Sequence, residues 1–434
     1  MPAFAGHYLI KKWAAVVALL ASAFYLALSG AEVATQRSFI MVAIVLIGVM
    51  IDRPTLTLRT LTVAALGVLL IAPESIVHPS FQMSFAATLA LVAGYQQGVP
   101  WTVAGAETPL GARIALFGGR EILGLVLVSL LAGTATMPYV AFHFHRLAPY
   151  GVLANLLAMP VVSLWVMPLG IVALLALPFG LDGSLWWLMG EGIAWMIAVA
   201  VWVTGLPGAV GRMASFGTGP LLLCSAGLVV LCLLRTWLRL VGPLLMCCAV
   251  VWAIRTPQPD VLITADASAI AVRGADGRLA MFRTGSNAFA FREWLSADAD
   301  ARAPTDKGLG DNFRCDAVGC TANLADGSVV AIVKSAEAFE EDCRRAVLVV
   351  SGRDAPPGCA ALVIDRQASR RSGAVALRRV DGVFKITPAR SGGYDRPWSP
   401  ATAQPRETAE TTRSGLPRQP PARRYAARGR SRAG

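Results

Sequence analysis

The stretch Gly151-Val-Leu-Ala-Asn-Leu-Leu-Ala-Met-Pro160-Val-Val-Ser-Leu-Trp-Val-Met-Pro168-Leu-Gly-Ile-Val-Ala-Leu-Leu-Ala-Leu177 carries no charged side chain. A helix crosses the hydrocarbon core of a bilayer with about 20 mostly apolar residues, so this run is long enough to span. It is also overlong and interrupted by Pro160 and Pro168, each of which removes a backbone donor. It therefore reads as one span, or as two half-helices or a re-entrant loop.

Eight further apolar runs bounded by charge, Gly or Pro surround it: Trp13–Ser29, Phe39–Ile51, Leu61–Ile71, Phe81–Tyr95, Ile122–Ala141, Leu185–Leu206, Leu221–Leu234 and Leu240–Ile254. About nine transmembrane helices are expected, making a polytopic α-helical membrane protein. The composition agrees: of 434 residues, 55% are hydrophobic and only 15% charged, with a mean hydropathy of +0.56. A soluble domain is nearer one quarter charged, so an ordinary cytosolic enzyme is excluded.

Charge divides the chain in three. Residues 1–255 hold 12 Lys+Arg and 7 Asp+Glu, residues 256–388 hold 17 and 17, and residues 389–434 hold 10 and 3. The first is the membrane region and the second a soluble domain. The third, rich in Arg, Pro, Ser and Gly, is expected to stay disordered.

Lys and Arg concentrate in cytoplasmic loops. With nine spans and the N-terminus inside, the inner loops carry Lys11, Lys12, Arg53, Arg59, Arg113, Arg120, Arg235 and Arg239, against Arg37, Arg146, Arg212 and Arg255 outside. The soluble domain then lies on the far side, which in a bacterium is the periplasm. If the Pro-broken run crosses twice, the parity reverses.

In the soluble domain, Val261–Thr264, Ala269–Arg273 and Leu279–Phe282 read as strands, with Gly274-Ala-Asp-Gly277 as a hairpin turn; Thr321–Leu324 and Val329–Lys334 flank a second turn, Ala325-Asp-Gly-Ser328. Phe289–Ala297 and Ala336–Arg345 read as helices, followed by strands Ala346–Val350, Ala361–Ile364 and Ala374–Arg379. An α/β or α+β domain of this length can bury its own core.

All four histidines precede residue 146, which excludes a His-based metal or acid/base site in the soluble domain. Cys224, Cys232, Cys247 and Cys248 sit in apolar runs, as small buried hydrophobes do. Cys315, Cys320, Cys343 and Cys359 lie in the soluble domain. Their spacing offers no tight CxxC pair, so disulfides are expected, most simply Cys315–Cys320 and Cys343–Cys359, one of three connectivities that four cysteines allow. No metal and no cofactor is expected.

Polar groups at bilayer depth are costly and mark aqueous paths or helix contacts. Gln82 and Ser84, in Pro79-Ser-Phe-Gln-Met-Ser-Phe-Ala86, are the strongest cluster, and either line a path or hold helices together. Asn155 either meets a solute or satisfies backbone loosened by Pro160. Glu191, the only acid well inside a run, either lines an aqueous path or pairs with a base. His143 and His145, in Phe142-His-Phe-His-Arg146, read as interfacial residues rather than metal ligands. Arg37, Arg53 and Arg59 either anchor topology or touch a polyanion, since nucleic acid is held mainly through its phosphates.

Thr35-Gln-Arg-Ser-Phe-Ile-Met41, Asp52-Arg53, Arg59, Ala72-Pro-Glu-Ser75, Pro79-Ser-Phe-Gln-Met-Ser-Phe-Ala-Ala87, then Pro138, Phe142-His-Phe144, Asn155 and Pro160 follow one another in an order that resembles the competence domain of the ComEC family of DNA-uptake channels. The resemblance covers roughly residues 31–206. It implies a bacterial inner-membrane channel passing single-stranded DNA to the cytosol during natural transformation, with Arg37, Gln82, Ser84 and Asn155 as channel-lining or scaffold candidates. It further implies a periplasmic DNA-binding protein and a cytosolic helicase-type motor as partners, beside the lipid bilayer, with a homo-oligomer left open. Many members carry an OB-like domain and helices ahead of the matched region, and many end in a metallo-β-lactamase-like domain with a His-rich metal motif. Neither pattern is present here; near the expected ligand position stands only Asp354. The soluble domain thus resembles a degenerate member without hydrolase chemistry, and the chain is expected not to be an enzyme. A truncated or accessory subunit without transport of its own, and a DNA-processing enzyme, are the alternative readings.

Overall fold

A computed structural model describes residues 10–52, 57–97, 110–283, 285 and 288–390; Arg53 and the basic segment from residue 391 lie outside them. The helical region comprises α1 Ile10–Leu28, α2 Val33–Met50, α3 Leu58–Ile71, α4 Pro79–Gln96, α5 Leu110–Phe144, α6 Gly151–Val161, α7 Met167–Ala176, α8 Gly183–Thr204, α9 Thr218–Leu233 and α10 Val241–Ile254. Five stretches among the described residues are long and apolar enough to cross a membrane: Lys11–Leu28, Ile122–Phe144, Gly151–Phe179, Gly183–Thr204 and Trp237–Ile254. The other apolar runs also form helices, but α3, with 14 residues, reaches only about 21 Å against a hydrocarbon core of about 30 Å. α4 is polar at its start, where Ser80, Gln82 and Ser84 stand.

The Pro-broken run is neither two half-helices nor a re-entrant loop. One wider π-turn, Val162–Val166, joins α6 to α7, and the Met167 N–H reaches back to the Val162 carbonyl. The extra residue in that turn places Pro168 in the first turn of α7, where a missing N–H leaves no bond broken. Trp165, in the π-turn, donates from Nε1 to the Leu188 carbonyl of α8 at 2.9 Å. It lies against Gly192, where a Cβ would fall 2.6 Å from the indole.

Apart from α6 and α7, which follow one course through the π-turn, successive helices alternate in direction, and contacts at their ends mark it. Lys12 at the start of α1 pairs with Asp52 after α2 at 2.5 Å. Arg235 after α9 reaches Gln96 of α4 at 3.5 Å. Gln82 near the start of α4 bonds His143 near the end of α5 at 2.8 Å. Strand β1, Arg146–Leu147, pairs with β2, Gly211–Arg212. Thus α2, α4, α6 and α9 all start at one end.

α9 and α10 touch backbone to backbone. A Cβ on Gly227 would fall 2.7 Å from the Gly242 carbonyl oxygen, and one on Gly242 would fall 2.6 Å from that of Gly227. Between α4, α5 and α9 the core is built on Ala86, Ala90, Ala93 and Ala135, small residues admitting close helix approach, with Tyr139, Leu221 and Leu228 packed among them.

After α10 come β3 Val261–Ile263, β4 Ala269–Arg273, β5 Leu279–Arg283, α11 Phe289–Ala297, β6 Phe313–Cys315, β7 Gly319–Asn323, β8 Val329–Val333, α12 Phe339–Arg345, β9 Leu348–Ser351, β10 Leu362–Ile364, α13 Arg366–Ser372, β11 Val375–Val380 and β12 Val383–Pro388. The sequence reading lacked β6, α13 and β12. The strands form two five-stranded sheets, ordered β12-β11-β3-β4-β5 and β10-β9-β8-β7-β6. The first is antiparallel throughout, whereas β8, β9 and β10 run parallel. Val261, Ile263, Ile270 and Val272 of one sheet meet Val330, Ile332, Leu348 and Val350 of the other. α11 covers the first sheet through Phe291 and Leu295, and α12 covers the second through Phe339 and Cys343. The layers run helix, sheet, sheet, helix.

The β4–β5 and β7–β8 hairpins repeat one device. Gly277 (φ +74°) and Gly327 (φ +81°) supply the left-handed residue of each turn, and Asp276 and Asp326 accept from the N–H two residues on, at 3.1 and 3.0 Å. The sheet region is seated on the helical one: Ser215 N–H donates to the Ala297 carbonyl at 2.7 Å, and Arg212 to the Asp300 carbonyl at 3.0 Å.

Gly227→Leu is expected to force α9 and α10 apart and lower stability in detergent by about 1–3 kcal/mol, the usual cost of overpacking. Gly133→Ala, inside α5 and with nothing within 4 Å of the added carbon, should not lower stability, since Ala is the better helix former.

Burial works to raise the Asp300 carboxyl, but hydrogen bonds from Arg302 outweigh it and hold it below the ordinary range; the pair lies at 2.6 Å. A depressed carboxylate stabilises the fold above its unfolded pKa, near 4, and that contribution disappears as pH falls through the folded value. Asp300→Asn should therefore flatten the loss of stability below about pH 4, read from thermal denaturation across an acid series.

Candidate functional site

α4 begins at Pro79, whose fixed φ suits a first helical position. His78 caps it, its Nδ1 accepting the Ser80 N–H at 3.3 Å. One turn in, Gln82 donates from Nε2 to the Ile76 carbonyl at 2.9 Å. That leaves Oε1 as the acceptor facing His143 Nε2 at 2.8 Å, so His143 is the donor. The last turns of α5 are held a second time: the Tyr139 hydroxyl donates to Ser225 Oγ of α9 at 2.9 Å, and Ser225 passes its own proton to the Leu221 carbonyl at 2.8 Å. Phe142 meets Phe216 edge-on at 5.6 Å. α5 is thus fastened by side-chain hydrogen bonds to the start of α4 and to the middle of α9.

Arg37 is buried, with 7% of its surface exposed, one turn into α2. Asn155 is exposed one turn into α6. It lines a cavity of about 320 Å³ between α5 and α6, with Ser129, Gly133, Thr136, Met137 and Val140. Arg37, Gln82 and Asn155 therefore share a depth: each stands one turn inside a helix that starts at the end where the sheet region sits. Ser84 is exposed on α4. Arg59 is exposed at the opposite end, near the start of α3. Glu191 is exposed midway along α8, in an open apolar groove of about 410 Å³ beside Pro160, Leu164, Trp165 and Trp195.

Of the residues singled out from sequence, the structure joins Gln82 to His143, whereas Asn155 and Glu191 stand apart from that pair. The Tyr139–Ser225 bond was not foreseen. The signal available was the position of Gln82 at the start of a run and of His143 at the end of the next, which antiparallel neighbours bring to one level. Among the described residues no group of three His, Cys, Asp or Glu is placed to hold a metal ion. In the sheet region Cys315 and Cys320 are bonded across the register of β6 and β7, with Cα atoms 4.0 Å apart. Cys343 of α12 is bonded to Cys359, with Cα atoms 5.0 Å apart. Cys224 and Cys232 are free and buried, Cys247 and Cys248 free and exposed.

Interhelical hydrogen bonds in membranes are worth about 0.6 kcal/mol on average and up to about 1.7. Gln82→Leu and His143→Leu are each expected to destabilise the chain in detergent by that order. The double substitution should cost no more than the larger single one, because both remove one bond; strict additivity in unfolding midpoints would refute the pairing.

Residues 3–238 match the family model described as Competence protein. No curated protein and no solved structure matches the chain. The match takes in every helix up to the end of α9, including the Gln82–His143 pair, Tyr139–Ser225, Arg37 and Asn155, and covers more than half of the sequence: the chain belongs to the Competence protein family, of ComEC type.

Proposed function

We propose that the helical region forms, or contributes to, a bacterial inner-membrane channel for single-stranded DNA in natural transformation, with the sheet region on the periplasmic side. The observation that carries this is the common placement of Arg37, Gln82 and Asn155, inside the family-matched region, each one turn into a helix that starts at the end where the sheet region sits. These polar groups, Asn155 exposed and Arg37 buried, stand at that end before the apolar depth of the bundle. Positioning and electrostatic guidance suffice for such a passage, and no covalent step is part of it. The helix–sheet–sheet–helix layering is compatible with a metallo-β-lactamase-like ancestry, and the absence of histidine after His145 supports a domain that guides DNA or docks a partner rather than one that cleaves. A periplasmic DNA-binding protein and a cytosolic helicase-type motor are the partners this reading requires. An accessory subunit is the second reading, favoured by the five helices of spanning length where nine apolar runs exist.

Transformation frequency with labelled DNA, in a host deleted for its own uptake channel and carrying this chain, tests the proposal. Rescue is expected, and Gln82→Leu and Asn155→Leu should each abolish it at unchanged membrane abundance. No rescue with the protein present in the membrane would favour the accessory subunit. A membrane-impermeant maleimide should label Cys315, Cys320, Cys343 and Cys359 in whole spheroplasts only after reduction; labelling without reductant, or only after lysis, would refute the periplasmic, disulfide-bonded placement.

A further inference from the structure

The β11–β12 hairpin runs past the rest of its sheet. Only Val375, Ala376 and Leu377 of β11 pair with β3, while Arg378, Arg379 and Val380 pair with β12 alone. At about 3.4 Å per residue the tip stands about 10 Å beyond the start of β3. The turn at the tip, Asp381-Gly382, has both residues at positive φ, +51° and +81°, the geometry of a tight two-residue hairpin.

That edge of the sheet is the one next to the helical region. Asp260, joined to the end of α10 by residues 255–259, donates its N–H to the Leu377 carbonyl at 2.9 Å and accepts the Arg379 N–H on Oδ2 at 2.7 Å. On the same edge, Arg273 pairs with Asp298 at 2.5 Å, between Ala297 and Asp300, whose carbonyls take Ser215 and Arg212. The tip therefore points out of the domain on the side where the last membrane span ends.

Its two faces differ. Arg379 faces inward, paired with Asp326 at 2.6 Å and lying 5.6 Å over the Phe384 ring. The register places Val380 opposite Val383 and Arg378 opposite Lys385, all four on the outer face, since side chains alternate along a strand. Val380 is 41% and Val383 71% exposed, and Arg378 and Lys385 are exposed one step behind them. Two bare valines at the end of a hairpin with a collar of two cations match the headgroup boundary, where apolar groups enter the acyl layer and Lys and Arg meet phosphate. Asp381 at the apex limits the depth to the headgroup layer. Nucleic acid would use the cations but has no use for the valines.

We infer that the tip Arg378–Lys385 is a lipid-anchoring site that docks the sheet region onto the anionic surface of the bilayer beside α10. This depends on α10 crossing the membrane and not on DNA passage.

The test uses the full chain with Cys224, Cys232, Cys247 and Cys248 replaced by Ser and Val383→Cys carrying an environment-sensitive fluorophore, in nanodiscs of phosphatidylcholine and phosphatidylglycerol. Nitroxide-labelled headgroups should quench this label. A label at Asp354→Cys, at the opposite end of the domain, should escape quenching. Adding Arg378→Glu and Lys385→Glu to Val383→Cys should abolish the quenching, as should discs of phosphatidylcholine alone. A Val383 label no more quenched than that at Asp354, or quenching indifferent to charge reversal, would overturn the inference. So would a label that responds to single-stranded DNA and not to nitroxide lipid, which would make the tip a nucleic-acid contact.

Discussion

Within a bilayer no water is present to satisfy a backbone N–H, a carbonyl or a hydroxyl, so each must find its partner inside the chain. The helical region is organised by that constraint down to single residues. Its hydroxyls turn back on their own helices: Thr62 to the Leu58 carbonyl at 2.9 Å, Thr88 to Ser84 at 2.8 Å, Thr136 to Ala132 at 2.9 Å and Thr204 to Ala200 at 2.9 Å. The π-turn of Val162–Val166 answers the same demand at a proline. The backbone stays helical and the extra residue absorbs the missing donor. Where a side chain cannot satisfy itself locally, it ties helices together, as Gln82 does with His143 and Tyr139 with Ser225.

The ties of the α4–α5–α9 unit lie at several depths: Gln82–His143 at the end on which the sheet region rests, Tyr139–Ser225 midway along α9 and Arg235–Gln96 at the far end, around a core of small and aliphatic residues. Polar chemistry at the first of these ends is the arrangement on which the proposed passage of a polyanion depends. It also explains why Arg37 tolerates burial: one turn from a helix start it remains close to the polar boundary, where a long cationic side chain is least costly.

The sheet region obeys a different constraint. The central strands of both sheets are covered on both faces, and Ala271, Val272, Val330, Val349 and Val350 are fully enclosed, so β4, β8 and β9 read as continuous apolar runs rather than alternating ones. Its interior is a hydrocarbon core between two sheets, and its polar groups are confined to turns and edges. Two disulfides, at β6–β7 and at α12, fasten the second sheet and its covering helix.

Much of this was legible in the residues. Apolar runs, bounded by Gly, Pro and charge, located every helix of the first region, because length and hydrophobicity decide whether a segment can be solvated by lipid. The Gly274–Gly277 and Ala325–Ser328 turns located the β4–β5 and β7–β8 hairpins, because only glycine adopts their left-handed step cheaply. The short elements β6, α13 and β12 escaped: β6 and β12 are edge strands fixed by pairing with β7 and β11, and α13 is a short polar helix. Local pattern also left the course of Gly151–Leu177 open between one crossing and two; the π-turn and the seat of Trp165 on Gly192 decided it, and these are contacts with α8. In the same way the residues alone marked Gln82 as costly at bilayer depth and His143 as interfacial, and gave no reason to single out Val380 and Val383. Only the tertiary structure decided that the first two satisfy each other and that the last two meet at a projecting tip, because a partner across space is set by the alternation of helices and the register of strands.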